Sequence, residues 1–180
     1  MLTRRNFIRQ SVLGTGTFLL PDVLKAAEKT KNNAKRPNVV YVFADQWRAQ
    51  DAGYAGNRQV YTPHIDRLAS ESLNFKHTVA CMPVSTPYRA SLLTGQYPLT
   101  HGLFLNDVTL DPEAKTIGKS YRAAGYDTAY IGKWHVHGNG RSNYVTLSHR
   151  HGFDYFKALE CTHDYNQSKY YDNRDGNVKI

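Results

Sequence analysis

Thr116-Ile117-Gly118-Lys119-Ser120-Tyr121-Arg122-Ala123-Ala124-Gly125 followed by Tyr126-Asp127-Thr128-Ala129-Tyr130-Ile131-Gly132-Lys133-Trp134-His135 compresses a helix, a stop, a strand and a polar ending into one stretch. Thr116 is a helix-capping residue, and Ile117 to Ala124 predicts a helix halted by Gly125. Thr128 to Ile131 is β-branched, aromatic and apolar, which predicts a buried strand. Lys133 and His135 lie just past it. Two residues apart on an extended backbone, they are expected to point to one side.

Working outward, the same alternation recurs. Asn38-Val39-Val40-Tyr41-Val42-Phe43-Ala44, opened by Pro37 and closed by Asp45, predicts a strand buried on both faces of a parallel sheet. Thr62-Pro63 predicts a helix start with Thr as N-cap, and Ile65, Leu68, Ala69 and Ser72 follow at helical spacing. Leu73 to Ala80 reads as a short strand or extended segment. Ser85 to Thr94 predicts a short helix stopped by Gly95. Strand, helix and strand in turn argue for an α/β layered fold. Asp45 and the Lys133–His135 group both end predicted strands, where open α/β sheets place ligand sites. Taken singly, such an Asp is often a helix cap and such a Lys-x-His pair a solvated edge; their convergence on one sheet edge favours a site. Past Gly138 the chain is polar and Tyr-rich and reads only as loops, and no internal repeat is present.

Charge narrows the function classes. Of the net +8, residues 1–36 carry +6, from eight Lys/Arg against Asp22 and Glu28. The remaining +2 forms no concentrated patch, which argues against nucleic acid as a partner. Cys81 and Cys161 form no CxxC and read as two partly buried thiols. The +6 belongs to an address. Met1 to Leu20 has a charged start and an apolar stretch, Ser11 to Leu20, before Pro21, too short to span a bilayer. Thr3-Arg4-Arg5-Asn6-Phe7-Ile8 resembles the twin-arginine export signal. Residues 1–27 are thus expected to be a signal peptide without a stable membrane anchor, and 28–36 a polar linker. The export machinery is then a partner, and the location is periplasmic or extracellular in a bacterium.

Ser85-Thr86-Pro87-Tyr88-Arg89-Ala90-Ser91-Leu92-Leu93-Thr94-Gly95 resembles the sulfatase signature, in which Cys or Ser is followed by x-Pro-x-Arg and a Thr-Gly ending. Cys81-Met82-Pro83 is a decoy, since its fifth position is Ser85 rather than Arg. The resemblance extends through Pro37–Asp45, Thr62–Leu68, Ala124–Thr128, Gly132–His135 and Gly152–Asp154, essentially all of 37–180. It implies an alkaline-phosphatase-like three-layer sandwich with a mostly parallel central sheet, of which 37–180 is the N-terminal part. It further implies that Ser85 is oxidised to formylglycine by a radical-type maturing enzyme and that the aldehyde hydrate attacks the sulfur of a sulfate ester. Arg89 steadies its hydroxyls, Lys133 contacts sulfate, and His135 takes part in proton transfer. A divalent metal is held by Asp45 and residue 85, with Gln46 standing where many family members have a second Asp. Ca²⁺ fits such oxygen donors first, Mg²⁺ or Mn²⁺ also. Later ligands, an Asp-Asn or Asp-His pair, are expected outside this chain. His137, His149, His151 and His163 are candidate substrate contacts, each alone reading as a surface histidine. The alternatives are a phosphate or phosphonate monoester hydrolase of the same superfamily, and a non-catalytic remnant that binds sulfated glycans.

Overall fold

The computed structural model describes residues 36–141, 143–172 and 178–179. The signal peptide expected over 1–27, and all but Arg36 of the linker expected over 28–36, lie outside the described residues. The chain divides into two compact units between Leu73 and Asn74.

In the first unit, residues 38–44 form no strand, contrary to the expectation, and Val40 and Val42 are each 84% exposed. A strand exists only with a ladder partner, and no described segment pairs with this run. The helix arrives where expected, as α1 (Pro63–Glu71), with Pro at its first turn. Thr62 occupies the N-cap position but makes no side-chain cap bond. Its hydroxyl instead accepts from Gly53 N at 2.8 Å and donates to Asp66 Oδ1 at 2.9 Å, tying the 3₁₀ turn Gly53–Ala55 to α1.

The second unit holds α2 (Ser85–Thr94), a single turn α3 (Pro98–His101) and α4 (Ile117–Ala123). Its sheet has the order β1 (Ala129–Lys133), β2 (Tyr155–Leu159), β3 (Tyr170–Asp172), β4 (Val178–Lys179). β1 and β2 run parallel with Ala129 opposite Tyr155 and Lys133 opposite Leu159; the other two pairings are antiparallel. Residues 74–80, read as a strand or extended segment, are exposed and without regular structure. Gly95 stops α2 at φ 68°, in the left-handed region that favours glycine. Thr116 caps α4 as expected, accepting from Lys119 N at 3.3 Å. Its hydroxyl also donates to His151 O at 2.8 Å. α4 lies so close to this turn that a Cβ on Gly118 would sit 2.7 Å from His151 O.

Two corrections concern the sheet. β1 was expected to be buried, yet Ile131 is 73% exposed, because β1 is an edge of the described sheet. The region past Gly138, read as loops, supplies β2, β3 and β4. Phe156 and Ala158 of β2 pack inward while Lys157 between them is only half-buried, the alternation of a one-sided strand. The core joins Ala90 and Leu93 of α2 to Leu103, Leu110, Trp134, Val136, Val145, Phe156 and Ala158. Trp134 is fully buried and meets Tyr130 and Phe156 edge-on at 4.7 and 5.1 Å. Burying one such side chain is worth about 1.5–3 kcal/mol, so this cluster fixes α2 against the β1 end. Cys161 is buried and Cys81 exposed, both free. Among the described residues no helix is long and apolar enough to cross a membrane.

Candidate active site

Ser85 is the first residue of α2. A helix start leaves backbone N–H groups without intrahelical partners and carries the positive end of the helix dipole. Those of α2 therefore favour an anion beside residue 85. Arg89 lies one turn on, and its Nε donates to Ser85 Oγ at 3.2 Å. Its Nη1 donates to Tyr130 Oη at 3.1 Å and to Lys133 O at 2.5 Å, and Tyr130 Oη also donates to Lys133 O. Arg89 is 5% exposed, so its charge is held among oxygens rather than water. The guanidinium thereby fixes the end of β1 against the first turn of α2.

A second clamp grips the same turn from the other side. Thr86 N donates to Asn106 Oδ1 at 3.0 Å, so Asn106 satisfies one of the helix-start donors from a distant loop. Thr86 Oγ1 donates to His135 O at 2.8 Å and accepts from Asp107 N at 3.3 Å. His135 Nε2 lies 2.8 Å from Asp107 Oδ1, and Arg141 Nη2 2.8 Å from Asp107 Oδ2. Arg141, and after it His135, hold the Asp107 carboxyl down to about 2. Burial pushes the His135 imidazolium down; Asp107 opposes this, while Lys133 and Arg89 add to it.

Ser85, Arg89, Lys133 and His135 thus belong to one bonded network, linked through Thr86, Tyr130, Asn106 and Asp107. The expectation that Lys133 and His135 project from an extended backbone does not hold: His135 has φ 57°, a left-handed turn that breaks the strand alternation. His137 and His151 are buried, correcting their reading as surface histidines. Glu160, at the end of β2, receives His137 N at 2.7 Å and Gly138 N at 2.9 Å on Oε1, and burial raises its carboxyl above the usual range. His163 is exposed on the loop after β2 and takes no part in these bonds. Asp45 and Gln46 lie in the first unit, both exposed, with Gln46 at φ 23°. Asp45 and Gln46 offer oxygen donors suited to a hard cation. Among the described residues, though, no group of three or more His, Cys, Asp or Glu could hold a metal ion. The donors present among the described residues do not complete a centre.

Sequence reasoning missed Asn106, Asp107, Tyr130, Arg141 and Glu160. Tyr130 lay in a predicted strand but was counted as core, and Leu103 to Asp107 carries no periodicity that marks its polar end. A polar pair just past an apolar run was the one available signal.

Residues 37–178 match the sulfatase family. The chain is 51% identical to the ulvan-active sulfatase of Formosa agariphila over 158 residues, 88% of this chain and 31% of that protein. Among solved structures it resembles a Bacteroides thetaiotaomicron protein of the metabolism of multiple glycosaminoglycans, with TM-score 0.73 and 31% identity over 81% of this chain and 37% of the other. It also resembles BT4656, solved with its substrate D-glucosamine-2-N,6-O-disulfate, with TM-score 0.68 and 31% identity over 81% of this chain and 28% of the other. The chain spans well under half the length of each. The fold is α/β and alkaline-phosphatase-like, incomplete in this chain.

Proposed function

The chain belongs to the sulfatase family, and from that premise we propose that the full-length protein hydrolyses sulfate esters of a saccharide with a nucleophile made from Ser85. The observation that carries this is the hold of Arg89 on Ser85 Oγ at the start of α2, by a guanidinium that also binds the end of β1. Serine, oxidised to formylglycine and hydrated, presents two hydroxyls. One attacks sulfur as the alcohol leaves, forming a sulfated hydrate. The second then loses its proton, sulfate departs, and the aldehyde returns. Arg89 orients the hydroxyls, Lys133 meets the sulfate oxygens and His135 exchanges the proton. Asp45 and Gln46 carry oxygen donors of the kind a divalent cation takes, Ca²⁺ first, and residue 85 carries another. A divalent metal, when bound, would lower the pKa of a hydroxyl it touches and screen negative charge.

A saccharide is supported as substrate by the ulvan-active relative and by the disulfated glucosamine of BT4656. His163, exposed, and His137, whose two ring nitrogens make no hydrogen bond among the described residues, are candidate saccharide contacts. Residues 1–27 would export the protein by the twin-arginine route after a radical-type enzyme has matured Ser85 in the cytoplasm. The test is to assay the full-length, matured protein on sulfated saccharides and on matched phosphate and phosphonate monoesters. Release of sulfate is expected. Turnover of the phosphorus esters alone would make it a phosphatase-type member of the superfamily, and binding without turnover a glycan-binding remnant.

A further inference from the structure

We infer that Asp107 is a positioning residue that holds the His135 imidazole with its proton on Nε2, leaving Nδ1 as the nitrogen offered to the reacting centre. This rests on the proposed role of His135 in proton transfer and deepens it by naming the atom. The geometry leaves one arrangement of the hydrogen. Asp107 Oδ1 lies 2.8 Å from His135 Nε2. The carboxylate also accepts from Arg141, through Nη2 at 2.8 Å and through Nε at 3.2 and 3.3 Å. A carboxylate paired with a guanidinium is ionised and can only accept. The proton of that short contact must then sit on Nε2, since the other tautomer would set a nitrogen lone pair against a negative oxygen. Nδ1 is buried and makes no hydrogen bond among the described residues.

The backbone is fixed as firmly as the ring. Thr86 Oγ1 donates to His135 O and accepts from Asp107 N, so one hydroxyl sets both partners relative to the residue beside Ser85. Asn106, next in chain to Asp107, bonds the same Thr86 N. Lys133 and Arg89 are the other charges acting on the ring, both positive, and they oppose a second proton on it. A neutral imidazole with its lone pair at Nδ1 is therefore the resting form that can take a proton and return it.

The test uses full-length protein labelled with ¹⁵N-histidine, the His135 resonances being identified by their loss in His135→Gln. A pyrrole-type Nε2 and a pyridine-type Nδ1 are expected in the parent protein. In Asp107→Asn, whose amide can present either a donor or an acceptor, the tautomers should mix and kcat should fall about 10²-fold, with KM little changed. A parent protein with its proton on Nδ1 overturns the inference whatever the variants do. So does an Asp107→Asn protein whose tautomer and kcat both match the parent. A parent with the Nε2–H form that turns over no sulfate ester upholds the tautomer assignment and sinks the sulfatase reading instead.

Discussion

His135 and Asp107, bonded across 2.8 Å and separated by 28 residues in the chain, both have left-handed backbone conformations, with φ 57° and 64°. Such angles are uncommon outside glycine, though Asp and His adopt them more readily than most residues. They persist where the surroundings over-determine them, and they gather at functional sites. Here Thr86 is one such restraint, its hydroxyl and amide meeting the 106–107 loop and the His135 carbonyl together, and Arg141 on Asp107 is another. The two strained residues, distant from the proposed nucleophile in sequence, are thus tied to the residue beside it.

Arg89→Lys tests the first clamp. A lysine keeps the charge but cannot bond Ser85, Tyr130 and the Lys133 carbonyl together. In the full-length enzyme, kcat/KM is expected to fall by about 10²–10³-fold, the scale of losing one preorganised donor, read by steady-state kinetics. Activity equal to the parent would remove Arg89 from the site.

Asp45→Ala addresses the metal. Loss of its carboxylate is expected to abolish both divalent-ion binding, measured by metal content after dialysis, and turnover. Full activity with bound ion would take Asp45 out of the centre.

Formylglycine has a mass signature. The tryptic peptide spanning residue 85 should be lighter by two hydrogens than its serine form and should react with hydrazides. Expression without a radical-type maturing enzyme should give the unmodified peptide and an inactive protein. Ser85→Cys in a host with the cysteine-oxidising enzyme should restore turnover. Full activity from an unmodified peptide would point to a plain serine nucleophile.

Acid stability should report on His151. Its ring is 1% exposed and stacks on Trp134 at 5.9 Å, and burial, with Lys119 and His149 adding and Asp111 opposing, lowers its pKa from 6.5 to about 4. Above pH 6.5 the ring is neutral in both states. As pH falls toward 4 the unfolded chain takes up a proton that the folded ring refuses, so stability is lost across that window. The full drop is on the order of 3 kcal/mol. His151→Asn, which tolerates the φ of 49° at that position, should start less stable at neutral pH and show a flatter decline. Denaturant unfolding at several pH values measures both, and an unchanged slope would clear His151.

What the sequence made legible was local. Capping and stop residues placed α2 and α4 within a residue of their ends, because those signals act within one turn. β1 was found for the same reason, its apolar run being short and bounded. Its burial was misjudged, since exposure depends on which strands lie beside it. The run 38–44 has strand composition yet no ladder, and β2 escaped notice although Phe156 and Ala158 alternate, because strand pairing is a relation between distant segments. The site divides alike. Ser85, Arg89, Lys133 and His135 sit inside recognisable motifs. Asn106 and Asp107 become visible only once the chain brings residue 107 to residue 135.

The bond from Thr86 to His135 spans 49 residues, and this separation sets a clock. The first turn of α2 cannot take its final hold until His135 has been made. At about 5–20 residues per second, synthesis of that interval takes roughly 2–10 s. During it, the peptide around Ser85 is free of its later clasp and open to an enzyme that works on extended chains. Once the clasp closes, Thr86, Pro87, Arg89 and Ala90 are buried and the same peptide is out of reach. The maturation proposed for Ser85 would then have to be finished before translation reaches His135 and one hydrogen bond closes.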